Sequence, residues 1–192
     1  MPERAERLRR GLGCAQRAYV CFVPGGGGST LGGRSAVAVF ADAAAIVARQ
    51  TAAPCVLLEG PLHQGPPVER CGVTTRRASH EETVDLIEGA HVAVVGASST
   101  LFQALAQQRV CVATSSGGAE QTGRAWDWAA RGIVEAADPE PAALAAATLR
   151  LLESTGRWDA IHQRVVSLGV RNDLPCALAA IEDLLTRPRV EG

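Results

Sequence analysis

The chain has 192 residues, a formal net charge of −1, 47% apolar and 20% charged side chains. One sizeable core fits this composition, whereas wholesale disorder and generic binding to nucleic acid or an anionic membrane do not. All 19 basic residues are arginine, which excludes lysine Schiff-base chemistry and any phosphate loop built on a lysine.

The run AYVCFV from Ala18 to Val23 is short, apolar and rich in β-formers, and it stops at Pro24 and four glycines. It reads as a buried first strand. Arg34 to Gln50 is long and apolar enough for a helix, and CVLLEG (Cys55 to Gly60) returns to strand character. PLHQGPPV then forms a loop and Gly72 to Thr75 a short strand. Ser79 with Glu82 three residues later forms a capping box ahead of the next helix.

The fourth predicted strand is HVAVV (His91 to Val95), followed by GASST and a helix through LFQALAQQ. Val110 to Ala113 makes a fifth strand, ending in TSSGGAEQ. A helix carrying Trp126 and Trp128, a GIVEA strand, and an alanine-rich helix from Pro139 to Glu153, started by Asp138 and Pro139, come next. Helices over Trp158 to Leu168 and Leu174 to Leu185 close the sequence. Strands alternating with helices predict an α/β, Rossmann-like parallel sheet with helices on both faces and C-terminal helices appended. Residues 18–187 form this domain, with 1–17 as an N-terminal extension and 188–192 as a tail.

Cysteines 14, 21, 55, 71, 111 and 176 contain no C-x-x-C pair, and His63, His80, His91 and His162 are dispersed. Free thiols in a reducing compartment are expected, with no metal and no cofactor. The charged N-terminus lacks an apolar signal-peptide core, and no apolar run has membrane-spanning length, so the expected location is the cytoplasm.

In a parallel sheet, ligands bind beyond the carboxyl ends of the strands. Three polar, glycine-rich loops fall there. Gly25, Gly26, Gly27, Gly28 and Ser29 leave backbone N–H groups open to a phosphate or sugar before the next helix begins. The same run also reads as a flexible linker, and it meets the dinucleotide fingerprint only loosely, with Thr30 at the third glycine position and Glu59 near the end of the second strand. Ser98, Ser99 and Thr100 place hydroxyls and helix N–H donors at one point, for an anion or simply as caps. Glu120 and Gln121 offer donors and acceptors suited to sugar hydroxyls, or form an ordinary polar loop.

Other residues carry less. His63 and His80 are candidate bases without a visible orienting partner. Arg76 and Arg77, just ahead of a helix start, read as solvated surface or as contacts to a ligand phosphate, and of Trp126 and Trp128, candidates for a pocket lining spaced two apart on a helix, one belongs in the core.

The glycine-rich first loop, AHVAVVGASSTLFQALAQQRVCVATSSGGAEQ and AARGIVEAADPEPAALAAATLRLL together resemble the donor-binding C-terminal half of GT-B glycosyltransferases. The likeness is nearest to the peptidoglycan lipid-intermediate N-acetylglucosaminyltransferase and to the UDP-sugar hydrolase of pseudaminic acid synthesis. It covers roughly Ala18 to Leu185. In that family a G-G-S-T-like loop precedes a helix whose Glu binds the nucleotide ribose, and a later Gln touches the donor sugar. The matching positions are Ala97, Ser98, Ser99 and Thr100 for the loop, Gln103 for the Glu and Gln121 for the Gln.

Gln103 keeps hydrogen bonding without the charge-assisted strength of a carboxylate, and Ser98 replaces a glycine. The resemblance implies binding of a nucleotide sugar, with UDP as carrier. It implies inverting transfer only with an acceptor-binding domain or subunit, as in the two-subunit dolichol-linked N-acetylglucosaminyltransferase. Membrane contact would be indirect through that partner, and no nucleic acid is involved. Hydrolysis of the nucleotide sugar and a non-catalytic assembly module are the alternatives.

Overall fold

The computed structural model describes residues 6–7, 10–12, 18–26, 28–31, 33–115, 117–170, 178 and 182–183. Gly27, Cys14, Cys176 and the tail at 188–192 lie outside them. So do most of the N-terminal extension and most of the expected helix from Leu174 to Leu185.

The strands are β1 (Val20–Val23), β2 (Thr30–Leu31), β3 (Arg34–Ser35), β4 (Cys55–Glu59), β5 (Val73–Arg77), β6 (Val92–Gly96), β7 (Val110–Thr114) and β8 (Glu135–Ala136). The helices are α1 (Ala36–Gln50), α2 (His80–Glu88), α3 (Ser99–Ala106), α4 (Ala119–Ala130), α5 (Pro141–Glu153) and α6 (Thr155–Leu168).

Six strands form one parallel sheet in the order β5-β4-β1-β6-β7-β8. Every residue of β1, β4, β6 and β7 is buried, as expected of strands covered on both faces. The chain moves outward from β1 through β4 to β5, then crosses back to β6 and on to β8. Right-handed crossovers therefore place α1 on one face and α2, α3 and α4 on the other. Helix α5 packs on α1, and α6 on α5.

Tyr19, Phe22, Phe40, Leu57, Leu101 and Leu144 are among the fully buried side chains of the single core cluster. Cys21, Cys55 and Cys111 are buried in it and Cys71 is exposed, all four outside any disulfide. Burial pushes the Cys111 thiol up to about 12 although Arg109 pulls the other way, so this cysteine packs as a small apolar residue.

Several boundaries differ from the sequence reading. Arg34 and Ser35 do not begin a helix; they pair antiparallel with Leu31 and Thr30. Gly33 at φ 78° supplies the left-handed backbone of the turn, and the Ser35 hydroxyl then accepts from Ala38 N at 3.2 Å, so α1 starts at Ala36. The alanine-rich helix starts at Pro141 rather than Pro139. Two prolines flank the turn, and the second takes the first helical position, where its missing N–H costs nothing.

The GIVEA strand shrinks to Glu135–Ala136 because Gly132, at φ 68°, is still leaving α4. The buried Glu135 holds both following helices, accepting from Arg150 at 2.8 Å and Arg157 at 2.6 Å. Among the described residues no helix is long and apolar enough to cross a membrane.

Candidate functional site

Strand β1 lies between β4 and β6, and its neighbours connect in opposite directions. This reversal opens a crevice beyond the carboxyl ends of β1 and β6. A cleft of about 210 Å³ occupies it on the α2/α3 face. Val23 and Leu58 form its floor, and Gly25, Gly26, Gly60 and Pro61 its lip. One wall is His80 and Thr83 at the start of α2, and the facing wall is Ser99, Thr100 and Gln103 of α3.

The start of α3 is open. Ser98 occupies the N-cap position with extended backbone (φ −112°, ψ −156°), yet its hydroxyl makes no capping bond. Leu101 N donates to Ser98 O at 3.1 Å, while the amides of Ser99 and Thr100 find no acceptor among the described residues. Thr100 is 8% exposed, and its hydroxyl also makes no hydrogen bond among them. By contrast the serines before α1, α2 and α6 each accept an amide of their own helix. Unpaired N–H groups and the positive end of the helix dipole thus face the cleft.

The opposite wall is rigid by a different device. Ser79 and Glu82 form a full capping box. The Ser79 backbone N–H and then Arg76 hold the Glu82 carboxyl below its ordinary range, and Arg76 reaches it at 2.6 Å. Arg76 is therefore engaged rather than solvated. His80 follows, exposed at the cleft edge.

Glu59 adjoins the cleft through its backbone, because its side chain points to the other sheet face. Leu58 is in register with Arg76 and Glu59 with Arg77, and alternation along the strand sends each pair to opposite sides. The buried Glu59 carboxylate accepts from Val68 N at 2.7 Å, with His63 at 3.8 Å and Arg77 at 3.7 Å. It anchors the loop between β4 and β5 and is placed for no ribose in the cleft.

The first loop contributes a lip rather than a helix N-terminus. Gly25 adopts φ 106°, and Gly26 O accepts from Leu62 N at 2.8 Å. The expectation that a helix follows this loop directly is corrected by the hairpin. Helix α1 is closed by the Ser35 cap, and its Ala36 N donates to Ser29 O at 2.9 Å. The phosphate-binding helix of a dinucleotide fold is thus occupied here, and of the four helices preceded by a serine the open one is α3.

The third loop stands apart from the cleft. Gly118 precedes α4 without a side-chain cap. Glu120 is 75% exposed in its side chain, with Arg124 at 3.7 Å, and Gln121 is half-buried one position on. A methyl placed on Gly117 would lie 3.8 Å from Ser29 Cβ, so this loop meets the far end of the first one.

No protein-family model and no curated protein matches the chain. Solved structures do match. A glycosyltransferase from Rickettsia africae ESF-5 superposes with a TM-score of 0.65 at 13% identity, over 98% of this chain and 53% of its own. The glycosyltransferase SnogD from Streptomyces nogalater gives 0.59 at 18% identity, over 89% and 43%. The glycosyltransferase VinC in complex with dTDP gives 0.55 at 16%, over 78% and 37%. The chain has the fold of one half of a GT-B glycosyltransferase. It spans 37 to 53% of the length of these three chains.

Within this half-domain the structure brings together Gly25, Gly26, Ser99, Thr100 and Gln103 on one cleft, with Ser98 as the N-cap just before Ser99. Gly28, near Leu62, and Ser29, near Gly117, are outside the cleft lining, as are Glu120 and Gln121. Gly60, Pro61, Thr83 and the placement of His80 against α3 escaped the sequence reading. The Ser79–Glu82 capping box marked the start of α2, but only the strand order brings that start opposite α3. Trp126 is 49% exposed while Trp128 is partly buried against the core, as their spacing suggests.

Proposed function

We propose that this half-domain binds a nucleoside diphosphate sugar, with UDP as the carrier, and takes part in inverting glycosyl transfer together with an acceptor-binding half. The observation that carries the reading is the uncapped start of α3, where the Ser99 and Thr100 amides and a Thr100 hydroxyl with no hydrogen bond among the described residues face a cleft. A diphosphate there satisfies those donors and meets the positive end of the helix. The Gly25–Gly26 lip lets it approach the main chain. Gln103, one turn into α3, takes the ribose, and Glu120 and Gln121 take the sugar from the α4 side.

In this scheme the chain's own contribution to chemistry is electrostatic. As the bond to the sugar breaks, charge grows on the departing diphosphate, and preorganised amides stabilise that charge more than the ground state. Acceptor activation falls to the partner half, since Glu59, the carboxylate residue of the described cleft lining, is committed to Val68 N.

Calorimetric titration with UDP and UDP-sugars tests the reading. Saturable binding by the folded chain is expected, and no heat of binding at millimolar ligand sinks it. A second reading, hydrolysis of the nucleotide sugar by this chain alone, draws on one observation, the placement of His80 on the wall facing α3. Release of free sugar from a UDP-sugar, abolished in His80→Gln, separates that reading from transfer.

A further inference from the structure

The loop that opens α3 is held from outside by α4. Arg124 Nη1 donates to the carbonyl of Ala97 at 2.7 Å, and its guanidinium carbon lies 5.6 Å from the centre of the Phe102 ring. Phe102 is itself held edge-on by Trp128, with ring centres 5.8 Å apart. On the other side Ala97 N donates to Thr114 O at 2.7 Å. Both ends of Ala97 are therefore tied, one to the sheet and one to α4.

The Ala97 carbonyl shares a planar trans peptide unit with Ser98 N–H, so the two point in opposite directions. Fixing the carbonyl fixes that N–H, which bonds Gly96 O at 2.7 Å, and with it the extended backbone of Ser98. The open amides of Ser99 and Thr100 follow immediately. An arginine suits this task because its flat fork can lie on an aromatic face while an edge N–H donates to a carbonyl.

We propose that Arg124 is a positioning residue for the diphosphate. It does not touch the ligand; it holds the Ala97–Ser98 peptide so that the donors of Ser99 and Thr100 converge before the ligand arrives. This rests on the reading of the cleft above, whose lining includes Thr100, a residue 8% exposed with no hydrogen bond from its hydroxyl among the described residues.

The test titrates UDP into wild type, Arg124→Met, Phe102→Leu and the double variant, at low and high salt. Loss of a preorganising hydrogen bond should weaken UDP about tenfold in Arg124→Met. Phe102→Leu, which removes the ring that seats the guanidinium, should weaken it several-fold, and the double variant should bind no worse than Arg124→Met. The salt dependence should match that of wild type, because no charge contact with the ligand is lost.

Unchanged UDP affinity in Arg124→Met, with only a lower melting temperature, overturns the proposal in favour of a structural role. A flattened salt dependence in Arg124→Met beside an unaffected Phe102→Leu overturns it in favour of direct contact with the diphosphate. Phe102→Leu alters a ring outside the core that is 41% exposed, so wild-type affinity in that variant is decisive even if Arg124→Met does not fold. Failure of wild type to bind UDP removes the cleft reading as well, whereas failure of the variants alone removes only the role of Arg124.

Discussion

Gly60 lies so close beneath the first loop that a methyl in place of its hydrogen would stand 2.3 Å from Gly25 O and 2.5 Å from Gly26 O. Both are backbone atoms, so no side chain can swing aside. Gly60→Ala should push the Gly25–Gly26 lip out of the cleft and destabilise the fold by about 1–3 kcal/mol through overpacking. Urea unfolding and UDP titration on the same sample measure both effects. Wild-type stability and affinity in this variant would mean that the lip moves freely.

The sheet was legible because its strands are unbroken apolar runs such as VAVVG and VCVAT, separated by polar helix starts. The hairpin before α1 was not, since Thr30–Leu31 and Arg34–Ser35 are two-residue strands carrying no periodicity. Of the site, the seryl loop could be read from residue types alone. Which of the serine-led helix ends stayed open could not, because Ser35, Ser79, Ser98 and Ser154 look alike in sequence and of these four only Ser98 leaves its helix uncapped. The role of Arg124 depends on a contact spanning 27 positions, beyond any local pattern.

Gln103 offers a test of ligand orientation. If its amide meets the ribose, Gln103→Glu replaces a neutral hydrogen bond with a charged one, a gain of about 1 kcal/mol, or about fivefold in UDP affinity. Inorganic pyrophosphate has no ribose and should bind the variant no better, or worse through charge repulsion. Competition between the two ligands on both proteins reads the difference. Parallel weakening of both would place Gln103 beside the phosphates.

Acid should destabilise the chain in two stages. Burial, with Arg109 adding to it, lowers the pKa of His91, whose ring stacks 4.9 Å from Trp158. Its folded pKa lies below the unfolded one, so the stability it supports is present above about pH 6.5 and declines as pH falls from there. Asp42 follows the same sign at lower pH. Its burial works to raise its pKa, but the hydrogen bonds from Arg34 and Arg70 prevail and lower it. Glu82 behaves alike through Ser79 and Arg76. Urea unfolding from pH 8 to 3 should show a first decline that His91→Gln removes and a second, setting in within the ordinary carboxylate range and continuing below it, that it leaves. A first decline that persists in His91→Gln would place the responsible group elsewhere.

Thr100 separates ligand binding from helix capping. The N-cap of α3 is Ser98, and neither its hydroxyl nor that of Thr100 bonds a helix amide. Ser98→Ala should therefore leave stability almost unchanged, whereas Ser79→Ala, which breaks a formed capping box, should cost about 1 kcal/mol. Thr100→Val keeps the branched shape in a buried position and removes only the hydroxyl. Since that hydroxyl makes no hydrogen bond among the described residues, its loss should not lower the melting temperature. A hydrogen bond to a charged phosphate oxygen is worth roughly 1.5–3 kcal/mol, so UDP should bind Thr100→Val about tenfold or more weakly. Undiminished UDP affinity in Thr100→Val, with the Ser79→Ala and Ser98→Ala controls behaving as stated, would move the diphosphate away from α3.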